Sequence, residues 1–147
     1  MKALIFLFLV GFSLTYNPSA AVSYARRYCK NYNSKYIKYP GADCANFVSQ
    51  CMKAGGMSFN DCKSVGWVNE NGCMPNVGGL KSCLKKKKWK EYSKRPNCFK
   101  AGYPFFYGNS HPVIASFVNG KNIKYCGHTN DRCDQPLSDS VLFYCPS

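Results

Sequence analysis

The sequence predicts an α+β domain braced by disulfides, and three observations carry that prediction. Apolar residues recur at helical spacing through the first half of the chain, strand-like runs take over from Tyr103, and ten cysteines are spread over 147 residues. Met1-Lys2 followed by the apolar run Ala3 to Phe12 reads as a secretory signal peptide over residues 1–15, too short to span a bilayer, with cleavage after Ser13 or Thr15. No later run is long and apolar enough to cross a membrane. Residues 16–147 then form one domain, secreted, extracellular and oxidised, with a core that disulfides supplement.

The elements follow in order. Asn17-Pro18 is an N-cap with proline at the first helical position, and Ala21, Val22, Ala25, Tyr28, Cys29 and Tyr32 form one face of the helix it starts. Asn33 to Gly41 is a tyrosine-rich loop. In the second helix Cys44, Phe47, Val48, Cys51 and Met52 make the buried stripe, and Gly55-Gly56 ends it. Ser58 to Asn76 reads as a loop anchored by Trp67. Val77, Leu80, Cys83 and Leu84 predict a third helix running into a lysine cluster. Strands are predicted at Phe105 to Tyr107, His111 to Val118, Ile123 to about His128, and Val141 to Tyr144. Pro112, which lacks an N–H, predicts an edge position or a bulge for the second of these.

Cys44 is the first candidate for chemistry. Asp43 reads as the N-cap, so Cys44 becomes the first helical residue, where unpaired N–H groups and the helix dipole lower a thiol pKa. A carboxylate aimed at Cys44 would oppose thiolate formation, so Asp43 is a cap rather than a catalytic acid. Cys51 cannot bridge Cys44, because seven helical residues separate them by roughly 10 Å, beyond the disulfide limit of about 7 Å. With Cys51 read as a buried thiol, eight cysteines remain for four bridges, with on the order of a hundred connectivities.

His111 and His128 are the two histidines of the chain, and Asn119-Gly120 between them signals a hairpin. A two-residue Asn119-Gly120 loop sets His111 opposite His128; a four-residue loop from Asn119 to Asn122 sets it opposite Asn130. Both alternatives share the face of His111, so a base would have a polar neighbour to orient it. A zinc site of Cys44, His111 and His128 is the competing chemistry, disfavoured because no close-spaced ligand pair is present. No metal or cofactor is called for.

Charge is the other compositional signal. Of 20 basic side chains, removal of Lys2 leaves 19 against 7 acidic ones, a formal +12. Lys85, Lys86, Lys87, Lys88 and Lys90 concentrate it in a patch suited to polyanions, with a merely solvated face as the plain alternative. Trp89 and Tyr92 are interleaved there, either as ligand-stacking rings or as packing. The signal peptide argues against a physiological nucleic-acid partner.

Three segments, Tyr16 to Ala25, Asp43 to Cys51 with Ala54-Gly55-Gly56, and Cys126 to Arg132, together resemble the putative amidase domain family, which is related to NlpC-type and CHAP cell-wall peptidases and amidases. The resemblance implies a papain-like fold. It implies Cys44 as nucleophile, His111 as general base, His128 or else Asn130 as the third polar residue, and the Cys44 backbone N–H as oxyanion donor. Tyr39 is a second oxyanion donor by analogy, or packing. The expectation is a monomeric cysteine amidase or endopeptidase acting on peptidoglycan or another anionic wall polymer. A non-catalytic cationic wall-binding or antimicrobial protein on the same scaffold is the alternative from another class, and an amidase unconnected with walls is a third.

Overall fold

In the computed structural model, which describes residues 15–147, three helices precede and pack against one six-stranded antiparallel sheet. The signal peptide expected over residues 1–15 lies, but for Thr15, outside the described residues. Helix α1 is Pro18–Tyr28, and the Asn17 side chain accepts from Ala20 N at 3.1 Å, the cap its sequence promised. Helix α2 is Cys44–Ala54 and α3 is Val77–Lys86, capped by Asn76 Oδ1. The strands are β1 (Trp89–Tyr92), β2 (Pro104–Tyr107), β3 (His111–Asn119), β4 (Asn122–Gly127), β5 (Arg132–Pro136) and β6 (Leu142–Pro146), in the order β1-β6-β2-β3-β4-β5.

Helix α2 is the centre of the domain. Every residue from Cys44 to Met52 is buried, so its polar positions must find partners inside. Asn46 Nδ2 donates to Ile37 O, Ser49 Oγ donates to Asn46 O and accepts from Met74 N, and Gln50 Oε1 accepts from Tyr24 Oη. Phe47, Val48 and Met52 join Leu80, Leu84, Phe105, Phe106 and Ile114 in the core. A one-sided amphipathic reading therefore understated this helix, which is enclosed on all sides along its first three turns.

Two short strands were not legible as strands. β1 lies where the lysine cluster begins: Lys88 at φ 66 turns the chain out of α3, and Trp89 is buried against Tyr16 and Tyr103. β5 is exposed along most of its length and carries little apolar signal. Trp67, expected as an anchor, is instead 58% exposed and meets only the edge of Tyr39.

The disulfide count is also corrected. Cys29–Cys133, Cys62–Cys83 and Cys98–Cys145 form three bridges with Cα separations of 5.5, 5.3 and 6.2 Å, whereas Cys44, Cys51, Cys73 and Cys126 are free and buried. The expected fourth bridge is not formed: Cys73, in a loop beside Ser49, and Cys126 of strand β4 both remain thiols in the neighbourhood of the buried Cys51. The bridges tie α1 to β5, the 3₁₀ turn Asn60–Cys62 to α3, and the β1–β2 connection to β6. Each removes denatured-chain entropy on the order of 3–5 kcal/mol, most for the longest loop, Cys29–Cys133.

Register decides what the sheet presents at the site. The hairpin closes with Asn119 opposite Asn122, and Gly120 at φ 56 takes the first central position, as a two-residue turn of this hand requires. Val118 then faces Ile123, the register of the longer loop considered from sequence. At Ser116 the strand bulges, so that Ala115 faces Tyr125 and Ile114 faces Cys126. The β3–β4 ladder ends at Ile114 opposite Cys126, short of His111, and residues 128–130 form a turn, so neither His128 nor Asn130 is a strand partner of His111. Pro112 is tolerated in an interior strand because it pairs with Phe106 of β2 and lies beyond the Ile114 end of the ladder to β4. The bulge frees the Ser116 carbonyl, which accepts from Arg26 Nη2 of α1 at 3.0 Å, while Arg26 Nε pairs with Asp134 at 3.2 Å.

Arg26→Ala should therefore destabilise the domain by about 1 kcal/mol, a value discounted because the ion pair is half exposed. Urea unfolding measures it; an unchanged midpoint would mean that α1 does not hold the bulge.

Candidate active site

Cys44, His111 and Thr129 line one open cavity of about 410 Å³, with Gly41-Ala42 on one wall and Asn76 to Gly78 at the start of α3 on the other. The lining carries no lysine, arginine, aspartate or glutamate. Cys44 reaches it as the first residue of α2, and His111 reaches it as the first residue of β3. Thr129 comes from the turn between β4 and β5. It holds φ 61, a left-handed conformation that a β-branched residue seldom adopts, and its buried Oγ1 has no nitrogen or oxygen partner. That hydroxyl lies against the Cys44 sulfur and favours the thiolate, as do the backbone N–H groups of Cys44 and Ala45.

The net electrostatics differ from the sequence expectation. Burial is the largest effect on the Cys44 thiol and pushes its pKa up, the neighbouring Asp43 charge adds to this, and the amides and Thr129 offset only part. A helix N-terminus lowers a thiol pKa when water can reach it; here desolvation wins. Burial lowers the pKa of His111, so it stays neutral. The resting pair is thus a protonated thiol and an imidazole free to accept a proton. No hydrogen bond fixes the His111 ring; its aromatic neighbour is Tyr107, with centroids 6.1 Å apart.

His128 is elsewhere. It is 1% exposed, sandwiched between Phe47 at 3.8 Å and Tyr32 at 4.1 Å between ring centroids. Its Nδ1 meets Asp43 Oδ2 at 2.5 Å and its Nε2 meets Tyr28 O at 2.7 Å. A carbonyl only accepts, so Nε2 carries a hydrogen, and the contact with the carboxylate needs one further proton between the two groups. With both nitrogens occupied, His128 cannot orient His111, and the zinc set Cys44, His111 and His128 is split. Asn130, at φ 77 and exposed, makes no hydrogen bond to His111 either.

Asp43 is corrected with it. Asp43 holds the N-cap position but makes no side-chain cap bond. Its Oδ1 accepts from Tyr39 N at 2.9 Å and from Asn46 Nδ2 at 3.0 Å, and its Oδ2 is taken by His128. The carboxylate is drawn away from the helix end, which leaves the N–H groups of Cys44 and Ala45 facing the sulfur. The Tyr39 hydroxyl accepts from Asn69 Nδ2 at 3.2 Å and is absent from the cavity lining.

The predicted basic patch does not act as one surface. Lys86 Nζ donates to Asp61 O and Ser64 Oγ, and Lys87 pairs with Asp61 at 2.8 Å. Lys88 occupies the turn before β1, and Lys85 and Lys90 line a separate groove. Thr129 is the site residue that sequence reasoning missed. It lies inside the Cys126 to Arg132 segment, but only the fold brings it to the cavity that Cys44 and His111 line.

A family model described as "Putative amidase domain" matches residues 15–144. The uncharacterized protein YjcM of Bacillus subtilis (strain 168) is 38% identical over 72 residues, covering 45% of this chain and 18% of that protein. The match therefore spans less than a fifth of that relative's length. No solved structure matches the chain.

Two outcomes follow from this geometry. His128→Ala leaves the Asp43 carboxylate buried without its partner and should cost about 3–5 kcal/mol in thermal or urea unfolding. Joint replacement by Asp43→Asn and His128→Ala should cost less than the sum of the two single changes. Alkylation of folded Cys44 by iodoacetamide, mapped by mass spectrometry, should be slow at neutral pH. It should keep accelerating past the ordinary thiol value of 9.0, because a raised thiol yields its thiolate only above that point. A rate plateau extending into acid would reveal a preformed thiolate instead.

Proposed function

The chain belongs to the Putative amidase domain family, and from that premise we propose that it is a secreted, cysteine-dependent amide hydrolase acting on bacterial peptidoglycan. The observation that carries this reading is the single cavity shared by a helix-borne thiol, a strand-borne imidazole and the Thr129 hydroxyl. A thiol at a helix N-terminus beside a histidine on an adjoining strand is also the arrangement of papain-like enzymes, which supports that fold assignment.

In the proposed reaction the Cys44 sulfur attacks the amide carbonyl carbon while a nitrogen of His111 takes the thiol proton. The carbonyl oxygen, now negative, accepts from the N–H groups at the start of α2. The C–N bond breaks as the His111 imidazolium returns that proton to the leaving amine, and an acyl thioester remains on Cys44. Water, deprotonated by His111, attacks the thioester; the carboxyl product leaves and the sulfur recovers its proton. Thr129 donates to the sulfur when it bears charge. The site works as a Cys–His dyad, with His128 and Asp43 setting the position of Cys44 and Tyr39 outside the oxyanion hole.

Support for the substrate comes from three features. The disulfides fit an extracellular setting. No helix among the described residues is long and apolar enough to cross a membrane. The formal net charge of +13 favours residence on anionic walls. The uncharged cavity suits an amide whose neighbours are not read through a buried ion pair.

With purified peptidoglycan, Cys44→Ala should lower release of soluble fragments by about three orders of magnitude or more, with wall binding retained. His111→Ala should lower it by about a hundredfold to ten-thousandfold. The acid limb of kcat/KM should lie below 6.5, since the lowered His111 remains an acceptor until pH falls past its depressed value. Undiminished hydrolysis by Cys44→Ala would end the cysteine mechanism; wild-type protein that binds walls but cuts nothing would favour the non-catalytic binding reading.

A further inference from the structure

A groove of about 530 Å³ runs between α3 and β1, apart from the Cys44 cavity. Lys81, Ser82 and Lys85 of α3 form one side, Lys90 and Tyr92 of β1 the other, and Tyr144 of β6 contributes to the lining. We propose that this groove is a binding site for a linear polyanion whose backbone carries phosphate or carboxylate groups and no aromatic bases. The site goes beyond the hydrolytic reading, since its occupancy requires no cleavage.

The argument begins with which charges are already compensated. Glu91 is the one acidic side chain in the lining. It takes Lys81 Nζ at 3.4 Å and a hydrogen bond from Tyr144 Oη, a hydroxyl that burial and Glu91 itself hold protonated. Lys81 also donates to Asn109 Oδ1 at 2.8 Å and lies 4.9 Å from the centroid of the Phe106 ring. Lys81 and Glu91 therefore cancel. Lys85 of α3 and Lys90 of β1 both line the groove and are exposed, with no hydrogen bond or ion pair from their side chains among the described residues. By contrast, Lys86 and Lys87 are drawn out of the patch by Asp61 and Ser64. Within the groove the cluster thus leaves two uncompensated cations, Lys85 and Lys90.

Shape and lining select the class of ligand. A concave trough between a helix and the edge of a sheet fits an extended chain better than the flat face of a bilayer. Trp89 and Tyr144 are buried and Tyr92 partly so, which leaves little ring face for a nucleobase to stack on. A polyol phosphate or acidic glycan strand meets neither obstacle. Lys90 on an edge strand also discourages pairing with another chain, but that role makes no demand on Lys85 in the facing helix.

The test compares equal charge changes at two places, in the full described domain carrying Cys44→Ala so that binding is read without cleavage. Lys85→Gln with Lys90→Gln removes two charges from the groove. Lys30→Gln with Lys63→Gln removes two exposed charges outside it. Affinity for a soluble poly(glycerol phosphate) is measured by titration calorimetry from low to physiological salt. The groove pair should weaken binding roughly fivefold or more and flatten the dependence of log Kd on log salt by about one to two; the outer pair should change affinity less than about twofold. Equal losses from the two pairs would overturn the proposal in favour of a diffuse field. Tighter binding to a single-stranded oligonucleotide or to phosphatidylglycerol vesicles than to the polyol phosphate would overturn the ligand class. Hydrolysis by the parent protein is assayed separately, so loss of the groove and loss of the enzyme reading are distinguishable.

Discussion

The contact between His128 and Asp43 is the constraint on which the candidate site depends. One imidazole, enclosed by Phe47 and Tyr32, joins the C-terminal end of α1 through Tyr28 O to the residue that precedes α2. The other Asp43 oxygen fixes the incoming loop through Tyr39 N and the first turn of α2 through Asn46. Three segments distant in sequence are thereby held at one buried carboxylate. An aspartate at this position would ordinarily turn back and cap the helix. Because His128 draws it sideways, the N–H groups at the start of α2 stay available beside the Cys44 sulfur, and the polarity of the helix end is directed at the cavity.

A second constraint sets the other half of the site. Side chains alternate along a strand, so one extra residue reverses which of them face a given partner. The bulge at Ser116 shifts the β3–β4 register, and β4 then runs into a turn whose His128 meets Asp43 on the helix side while its Thr129 lines the cavity with His111. Arg26 links bulge and buried pair mechanically, since the helix that gives Tyr28 O to His128 also occupies the carbonyl freed by the bulge.

These constraints explain what could be read from the residues and what could not. The α+β class, α1 with its Asn17 cap, the start of α2 at Cys44 and the strand opening at His111 are local events, fixed by caps, glycines and apolar period. Hairpin reading set His111 opposite His128 or Asn130, but the ladder shifts at Ser116 and ends before His111, and nothing local to Ser116 announces a bulge whose carbonyl is satisfied from a distant helix. Asp43 looked like a cap for the same reason: its competing partner lies 85 residues away. β1 was hidden by lysines that suit an edge strand as well as a helix end, and Trp67 was misjudged because an indole near glycines need not be buried. The disulfide total failed on the assumption that only Cys44 and Cys51 stay unpaired, whereas α2 and its Cys51 lie among the thiols that arithmetic would have joined.

The electrostatic outcome at Cys44 also has a chemical logic. Thiolates are the species that oxidants attack, and a chain with three disulfides matures where oxidants are available. A nucleophile held as a permanent thiolate in that setting would be exposed to sulfenylation or to capture by another cysteine. Here burial keeps the sulfur protonated, no cation lines the cavity to reverse that, and the helix amides with Thr129 are arranged to receive charge only once it forms. The strong positive charge of the chain is kept out of the cavity altogether and is concentrated along α3 and β1. Placing it beside Cys44 would have favoured the thiolate at rest; in the proposed reaction, keeping it apart leaves proton transfer to His111 as the step that creates the nucleophile.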